Sequence, residues 1–238
     1  IRYGVEHLRR NRGRCMGTLY WQLNDIWPVT SWASIDYYGR YKALQYYSKR
    51  FYNPVLISCR EVGENDVRPF INTERNIELV TTAELTVTND TLNDVTGVVN
   101  WELRDNKANV IKSGEQTVTV PALSYVTLDN MDFNKTDPYT SYISYSYTVD
   151  GEVISSGTTL FAAHKRFDFI EPNLRYEISG DEITVYADTY AKAVEIDSLD
   201  SDFILSDNYF DMNAGSKTVK IIEGTPKTIR LRSVIDIK

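Results

Sequence analysis

From Val55 onward, apolar residues recur at every second position. Leu85 and Val87 alternate with polar neighbours, as do Val99, Trp101 and Leu103, then Val118 and Val120, then Ile143, Tyr145, Tyr147 and Val149. A period of two is that of a strand with one face buried. Asn89-Asp90, Asp105-Asn106 and Asp150-Gly151 supply turns between these runs. The alternation lapses between Ala162 and Pro172, and Pro172-Asn173 marks a boundary. It resumes at Ile183 with Val185, Val194 with Ile196, Val219 with Ile221, and Ile229 with Leu231, with turns at Asp207-Asn208 and Gly215-Ser216.

Residues 1–53 follow a different period. Ile1, Val5 and Leu8 recur at i, i+4 and i+7, as on a helix, and Asn11-Arg12-Gly13-Arg14 breaks it. Cys15 to Gln22 is a short, mostly apolar run that predicts a strand buried on both faces of a parallel sheet. Asn24, Asp25, Pro28 and Ser31 form a loop. A second helix is expected after Gly39, with Leu44, Tyr47 and Phe51 on one stripe and Pro54 past its end. Helix–strand–loop–helix is a slice of an α/β repeat. The expected class is therefore mainly β. A fragment of α/β structure over 1–53 precedes two antiparallel sandwiches of the immunoglobulin type, over 54–171 and 172–238. No Cys–Trp–Cys constellation is present, so the immunoglobulin likeness is architectural. The last domain is small enough that it should lean on a neighbour.

Charge sharpens this division. The chain of 238 residues carries a net charge of −7, but residues 1–50 hold nine Lys/Arg against three acids, leaving −13 for the remainder. The acidic balance argues against nucleic acid as a partner. No apolar run approaches the ~20 residues of a membrane span, so no membrane partner is expected. Cys15 and Cys59 are too few for a disulfide framework and read as small buried hydrophobes; their scarcity favours the cytoplasm. His7 and His164 lack ligand spacing, so neither a metal nor a cofactor is expected. The chain opens Ile1-Arg2-Tyr3-Gly4, which reads as a processed start or an excised piece.

Candidate chemistry lies in an aromatic cluster. Trp21, Trp27 and Trp32 fall within twelve positions, with Tyr20, Tyr37 and Tyr38 among them. Aromatic faces stack on the C–H faces of sugar rings, while Asn, Asp and Gln bond the hydroxyls, in a pocket with few placed polar groups. Trp21 at a strand end, with Gln22, Asn24 and Asp25 in the loop beyond, suits the loops that form (β/α)8-barrel active sites. Burial in a core is the favoured expectation for Trp32. For Trp21 core and site stand side by side. A loop-capping role competes with a binding role for Asn24 and Asp25.

The run Gly17-Thr18-Leu19-Tyr20-Trp21-Gln22-Leu23-Asn24-Asp25-Ile26-Trp27-Pro28 resembles the last barrel strand of β-mannosidases of glycoside hydrolase family 2. Ser31-Trp32-Ala33-Ser34-Ile35-Asp36-Tyr37-Tyr38-Gly39-Arg40-Tyr41-Lys42-Ala43-Leu44 continues the likeness into the final barrel helix. Leu205-Ser206-Asp207-Asn208-Tyr209-Phe210-Asp211 is similar to a motif of that family's last immunoglobulin-like domain. The resemblance implies that 1–53 is the end of a catalytic (β/α)8 barrel. It makes Trp21 the floor of the subsite for the cleaved sugar, followed by a cis peptide to Gln22. Asn24, Asp25 and Trp27 become rim residues of the same substrate-binding pocket, whose partner is a β-mannoside oligosaccharide.

The resemblance implies no catalytic residue in this chain. Retaining glycosidases use two carboxyl groups about 5–5.5 Å apart, and in this family both are glutamates on earlier barrel strands. Glu6, Asp25 and Asp36, the acids of the barrel-like part, match neither motif. The full-length protein is thus expected to be an exo-glycosidase removing terminal β-D-mannose, and the isolated chain inactive. The alternatives are a carbohydrate-binding module, suggested by Tyr139, Tyr142, Tyr145 and Tyr147, a purely structural buttress, and a sister activity such as β-galactosidase, β-glucuronidase or exo-glucosaminidase. Torn from a barrel, residues 1–53 should pack on the first sandwich or pair between chains as a homodimer.

Overall fold

The computed structural model describes residues 1–67 and 79–237. The expected domain 54–171 therefore includes eleven residues, 68–78, outside the described ones, and residue 238 at the end of the last domain also lies outside them. The chain forms two compact units that are discontinuous in sequence. One joins residues 3–17 to 52–168, and the other joins 1–2 and 18–51 to 169–238.

In the first of these units, β1 (Val55–Val62), β2 (Thr82–Asn89) and β5 (Ser124–Thr127) form one antiparallel sheet, with the short β6 (Met131–Asp132) beside β2. The second sheet runs in the order β4-β3-β7-β8, with β3 Val95–Asp105, β4 Val110–Val120, β7 Ser141–Val149 and β8 Glu152–Leu160. The alternating positions read from the sequence point into the space between the sheets. Ile57, Leu85 and Val87 meet Val99, Leu103, Ile143, Tyr145 and Tyr147 there. Asp150 and Gly151 both adopt positive φ (51° and 84°), which the two-residue hairpin between β7 and β8 requires.

Side by side across the second sheet stand Gly114, Trp101, Tyr145 and Gly157. A Cβ on Gly114 would come within 2.7 Å of the Trp101 ring, and one on Gly157 within 2.8 Å of the Tyr145 hydroxyl. The two glycines leave the surface over which these aromatic side chains lie. Tyr142, Tyr145 and Tyr147 are all buried. Tyr139 is half-buried, with its hydroxyl 3.4 Å from Glu64 Oε1. The exposed stacking face expected of a carbohydrate-binding module on these tyrosines is not formed, because both faces of β7 are covered at these positions.

Helix α1 (Arg2–Arg10) fastens onto this sandwich by its last turn and the residues beyond. Arg9 donates to Asn53 O at 2.7 Å and to Asp90 at 3.0 Å; Arg12 pairs with Asp90 and donates to Leu123 O at 2.6 Å. Cys59 is buried, which pushes its thiol pKa up, whereas Cys15 is only half-buried.

The second unit holds the smaller sandwich. One sheet has the order β12-β14-β10-β9 (β9 Arg175–Ser179, β10 Glu182–Ala187, β12 Ile204–Leu205, β14 Gly215–Glu223). The other has β13-β11-β15 (β11 Ala191–Ser198, β13 Phe210–Met212, β15 Ile229–Arg232). Ile183, Val185, Val194, Ile196, Phe210, Val219 and Ile229 fill its core. Where the β11–β13 register shifts, Ala193 takes φ +52°, and Asp211 accepts its amide at 2.9 Å and Lys192 Nζ at 2.6 Å.

Helix α2 (Ala43–Phe51) belongs to this core. Of the expected stripe of Leu44, Tyr47 and Phe51, Phe51 is buried while Leu44 and Tyr47 are half-buried, and Tyr46 is the helix residue that enters the core of the smaller sandwich. The Tyr46 hydroxyl accepts from Leu205 N at 3.3 Å, and its ring lies 6.0 Å from that of Tyr209. Arg50 Nη1 meets Asp207 Oδ1 at 2.5 Å and Asn208 O at 3.1 Å, while Nη2 donates to Tyr209 O at 3.0 Å. Asn208 pins this loop to β11 by accepting Ile196 N and donating to Ile196 O, each at 2.8 Å. The Leu205–Asp211 motif is thus a socket for α2. Of residues 1–53, expected to pack on the first sandwich or pair between chains, 3–17 join the first sandwich, whereas 18–51 pack with the smaller one, because the socket for Arg50 and Tyr46 is there.

This socket makes stability pH-dependent at the alkaline end. Burial, then the 2.9 Å bond to Glu195, pushes the Tyr209 phenol up from its ordinary 10.0, and burial raises Tyr46. Folded pKa values above unfolded ones give stability that is complete below pH 10.0 and decays as pH rises above it. Thermal midpoints of this sandwich, measured from about pH 9 to about pH 11, should fall, and Tyr209→Phe should flatten the decline. An equally steep decline in that variant would assign the effect elsewhere.

Candidate functional site

Residues Cys15 to Gln22 do not form the expected buried strand. Beyond an isolated bridge at Cys15 the segment joins no ladder among the described residues, and Met16, Leu19 and Trp21 are exposed. A strand exists only as a partner in a sheet, so an apolar run by itself does not make one.

The loop after it is nevertheless tightly built. Its two arms pair in parallel: Ser34 N donates to Gln22 O at 3.2 Å, Ile35 N to Leu23 O at 2.8 Å, and Asp25 N to Ile35 O at 3.1 Å. Ser34 is the hub. Its fully buried Oγ lies 2.9 Å from Leu23 O, 2.9 Å from Gln45 Oε1 and 3.0 Å from the Tyr20 hydroxyl. One hydroxyl proton serves the two acceptors, and the tyrosine donates. Ser34 O also accepts Lys42 N at 2.9 Å. Tyr20 meets Phe51 edge to face, 6.5 Å between centroids. Both neighbours of Trp21 are therefore tied to one serine, Tyr20 through its hydroxyl and Gln22 through its carbonyl. Nothing in the sequence singled out Ser34: a serine inside an aromatic run carries no period and no motif chemistry.

The peptide between Trp21 and Gln22 is cis, as the resemblance implied. Trp21 is 76% exposed and Trp27 66%. Trp32, expected in a core, is 67% exposed, because the loop turns Ala33 and Ser34 inward and leaves the indole on its outer side. Asn24 is exposed, with its amide 3.2 Å from Asp25 O.

Asp25 is buried, and its carboxylate is occupied. Ser31 Oγ donates to it at 2.6 Å and Lys42 Nζ at 3.2 Å. The Ser31 hydrogen bond first, and Lys42 with it, hold its pKa below the usual carboxylate value. Asp36 accepts the amides of Tyr38 and Arg40 at 2.8 and 2.9 Å. The Asp25 carboxylate, with its pKa lowered and bonded inside the loop, is a poor proton donor to a leaving group. The structure places Trp21, Trp27 and Asn24 on the exposed side of the loop and Asp25 inside its scaffold. Aromatic faces with a neighbouring amide can stack on and hydrogen-bond a sugar; neither Asp25 nor Asp36 is set up to cleave one.

Each of the two units holds an immunoglobulin-like sandwich, and one of them carries a loop of exposed tryptophans; the class is that of multidomain β-sandwich proteins. Residues 81–166 match the family described as a mannosidase Ig/CBM-like domain, and residues 169–237 match an Ig-fold domain family. β-Mannosidase A of Aspergillus terreus is 31% identical over 173 residues, covering 68% of this chain and 17% of that protein. The mouse β-mannosidase is 56% identical over 45 residues, covering 19% of this chain and 5% of its own length. A β-D-mannosidase structure from Dictyoglomus thermophilum superposes with a TM-score of 0.78 at 20% identity, over 98% of this chain and 28% of that one. An exo-chitosanase from Amycolatopsis orientalis gives 0.68 at 16% identity, over 98% and 32%. In its two Ig-fold domain families and its β-mannosidase relatives the chain resembles the C-terminal part of the β-mannosidase-like proteins of glycoside hydrolase family 2. It spans about a sixth of the A. terreus relative's length.

Proposed function

We propose that this chain supplies the aromatic wall of the active site of a retaining exo-glycosidase that hydrolyses terminal β-D-mannose in oligosaccharides. In this role residues 1–53 end the catalytic barrel, Trp21 is the sugar platform, and Asn24 and Trp27 are its rim. Asp25 acts by holding the loop. The observation that carries the proposal is the exposed Trp21 indole between two residues bonded to buried Ser34, Tyr20 by its hydroxyl and Gln22 by its carbonyl. The two carboxyl groups that the double-displacement mechanism requires come from elsewhere in the complete enzyme.

The 238-residue chain alone should not hydrolyse an aryl β-mannoside, whereas the complete enzyme should, and should prefer it to the corresponding galactoside, glucuronide and glucosaminide. Turnover by the isolated chain would refute the assignment of catalysis to other parts. Preference for another glycoside would move the protein to a sister activity of the family.

A further inference from the structure

The loop that carries Trp21 meets the smaller sandwich through Arg40, which donates to Asp202 at 2.7 Å, and through the short helix α2. At its N-terminal end, Lys42 donates to Asp25 and through its amide to Ser34 O, and one turn on, Gln45 meets Ser34 Oγ. At its C-terminal end, Arg50 is gripped by Asp207 and by the carbonyls of Asn208 and Tyr209, while Tyr46 is buried in the sandwich core. From Lys42 to Arg50 is two helical turns, about 12 Å of rigid rod. Ser34 then passes the constraint to Tyr20 and Gln22, the residues on either side of Trp21.

We propose that the smaller sandwich is a positioning element for the sugar platform. It fixes α2 through Arg50 and Tyr46, and α2 fixes the backbone flanking Trp21 through Lys42, Gln45 and Ser34. The importance of this positioning for catalysis rests on the proposed role of Trp21; the mechanical coupling does not. Arg50, Gln45 and Ser34 are positioning residues, since none is placed against a reacting atom. The coupling explains why the Leu205–Asp211 motif, remote in sequence from the loop, carries a carboxylate and two carbonyls aimed at one guanidinium. A planar fork holds such a set in one orientation, which an ammonium cannot do.

The test is amide hydrogen exchange by NMR on the 238-residue chain. Arg50→Ala should speed exchange at Asp25, Ser34 and Ile35, whose amides close the loop, by roughly tenfold or more, the size of losing a charge-assisted hydrogen bond. Amides of β10 and β14 should keep their protection. Arg50→Lys, which can still meet Asp207 but cannot span both carbonyls, should fall between. Unchanged exchange at the three loop amides in a folded Arg50→Ala chain overturns the proposal. Should that variant unfold the sandwich, Asp207→Asn and Tyr46→Phe take its place, with smaller accelerations expected at the same amides and none overturning the proposal. The platform role is read separately: if Trp21→Ala leaves the complete enzyme's kcat/KM unchanged, that role falls, and the coupling is still decided by the exchange data alone.

Discussion

Trp21→Ala in the complete enzyme should lower kcat/KM for an aryl β-mannoside by about 10²-fold, the scale expected when a group that positions the substrate is removed. The same substitution should leave the thermal midpoint of the chain nearly unchanged. These two expectations separate a platform from a core residue. Trp21 is 76% exposed, so its removal takes little apolar area out of the packed interior of this chain. What is removed is a flat apolar face held in one place by Ser34 and Tyr20. A sugar ring set on such a face reaches the reacting groups without a search over orientations. Trp21→Phe should recover much of the loss, because a smaller ring keeps the stacking surface. A large loss of thermal stability in Trp21→Ala, with kcat/KM unaffected in the protein that remains folded, would return the residue to a structural role.

Tyr147→Ala should destabilise the first sandwich by about 3–5 kcal/mol, the range for deleting a large aromatic side chain from a core. Tyr147 sits in central strand β7, fully buried, and lies against Gly97 so closely that a Cβ there would come within 2.8 Å of the ring. Its hydroxyl is 3.0 Å from Val95 O and 2.9 Å from Val118 O, across two neighbouring strands. Tyr147→Phe keeps the ring and loses only the bond, so it should cost about 1 kcal/mol. Urea unfolding followed at the amides of β3 and β7 measures both. Equal losses in the two variants would mean that the hydroxyl bonds within the sheet, rather than the ring in the core, carry the residue's contribution.

The sequence and the structure agree most closely where period decides. Alternation of Val99, Trp101 and Leu103, or of Ile183 and Val185, forces one face inward whatever the neighbours are, and those residues are where expected. The Asp150-Gly151 hairpin followed from local backbone preference alone. The loop was legible only as a cluster of residue types. Trp21, Asn24 and Trp27 are exposed, as a platform and rim require, but Asp25 is spent on Ser31 and Lys42, a partnership that depends on where a helix seventeen residues away begins.

The sequence by itself determined that two β-sandwiches follow a segment of different period, that an aromatic cluster sits in that segment, and which family the cluster resembles. Periodicity and residue type are local properties, and they survive in one dimension. Only the tertiary structure decided that Cys15–Gln22 lies outside any strand ladder among the described residues, that Trp32 faces outward, that residues 18–51 join the smaller sandwich, and that Ser34 bonds to Tyr20, Leu23 and Gln45. Each of these depends on a partner distant in the chain: a missing strand neighbour, or the carboxylate and carbonyls of Asp207, Asn208 and Tyr209 around Arg50. Such partners are chosen by packing, which no local pattern records.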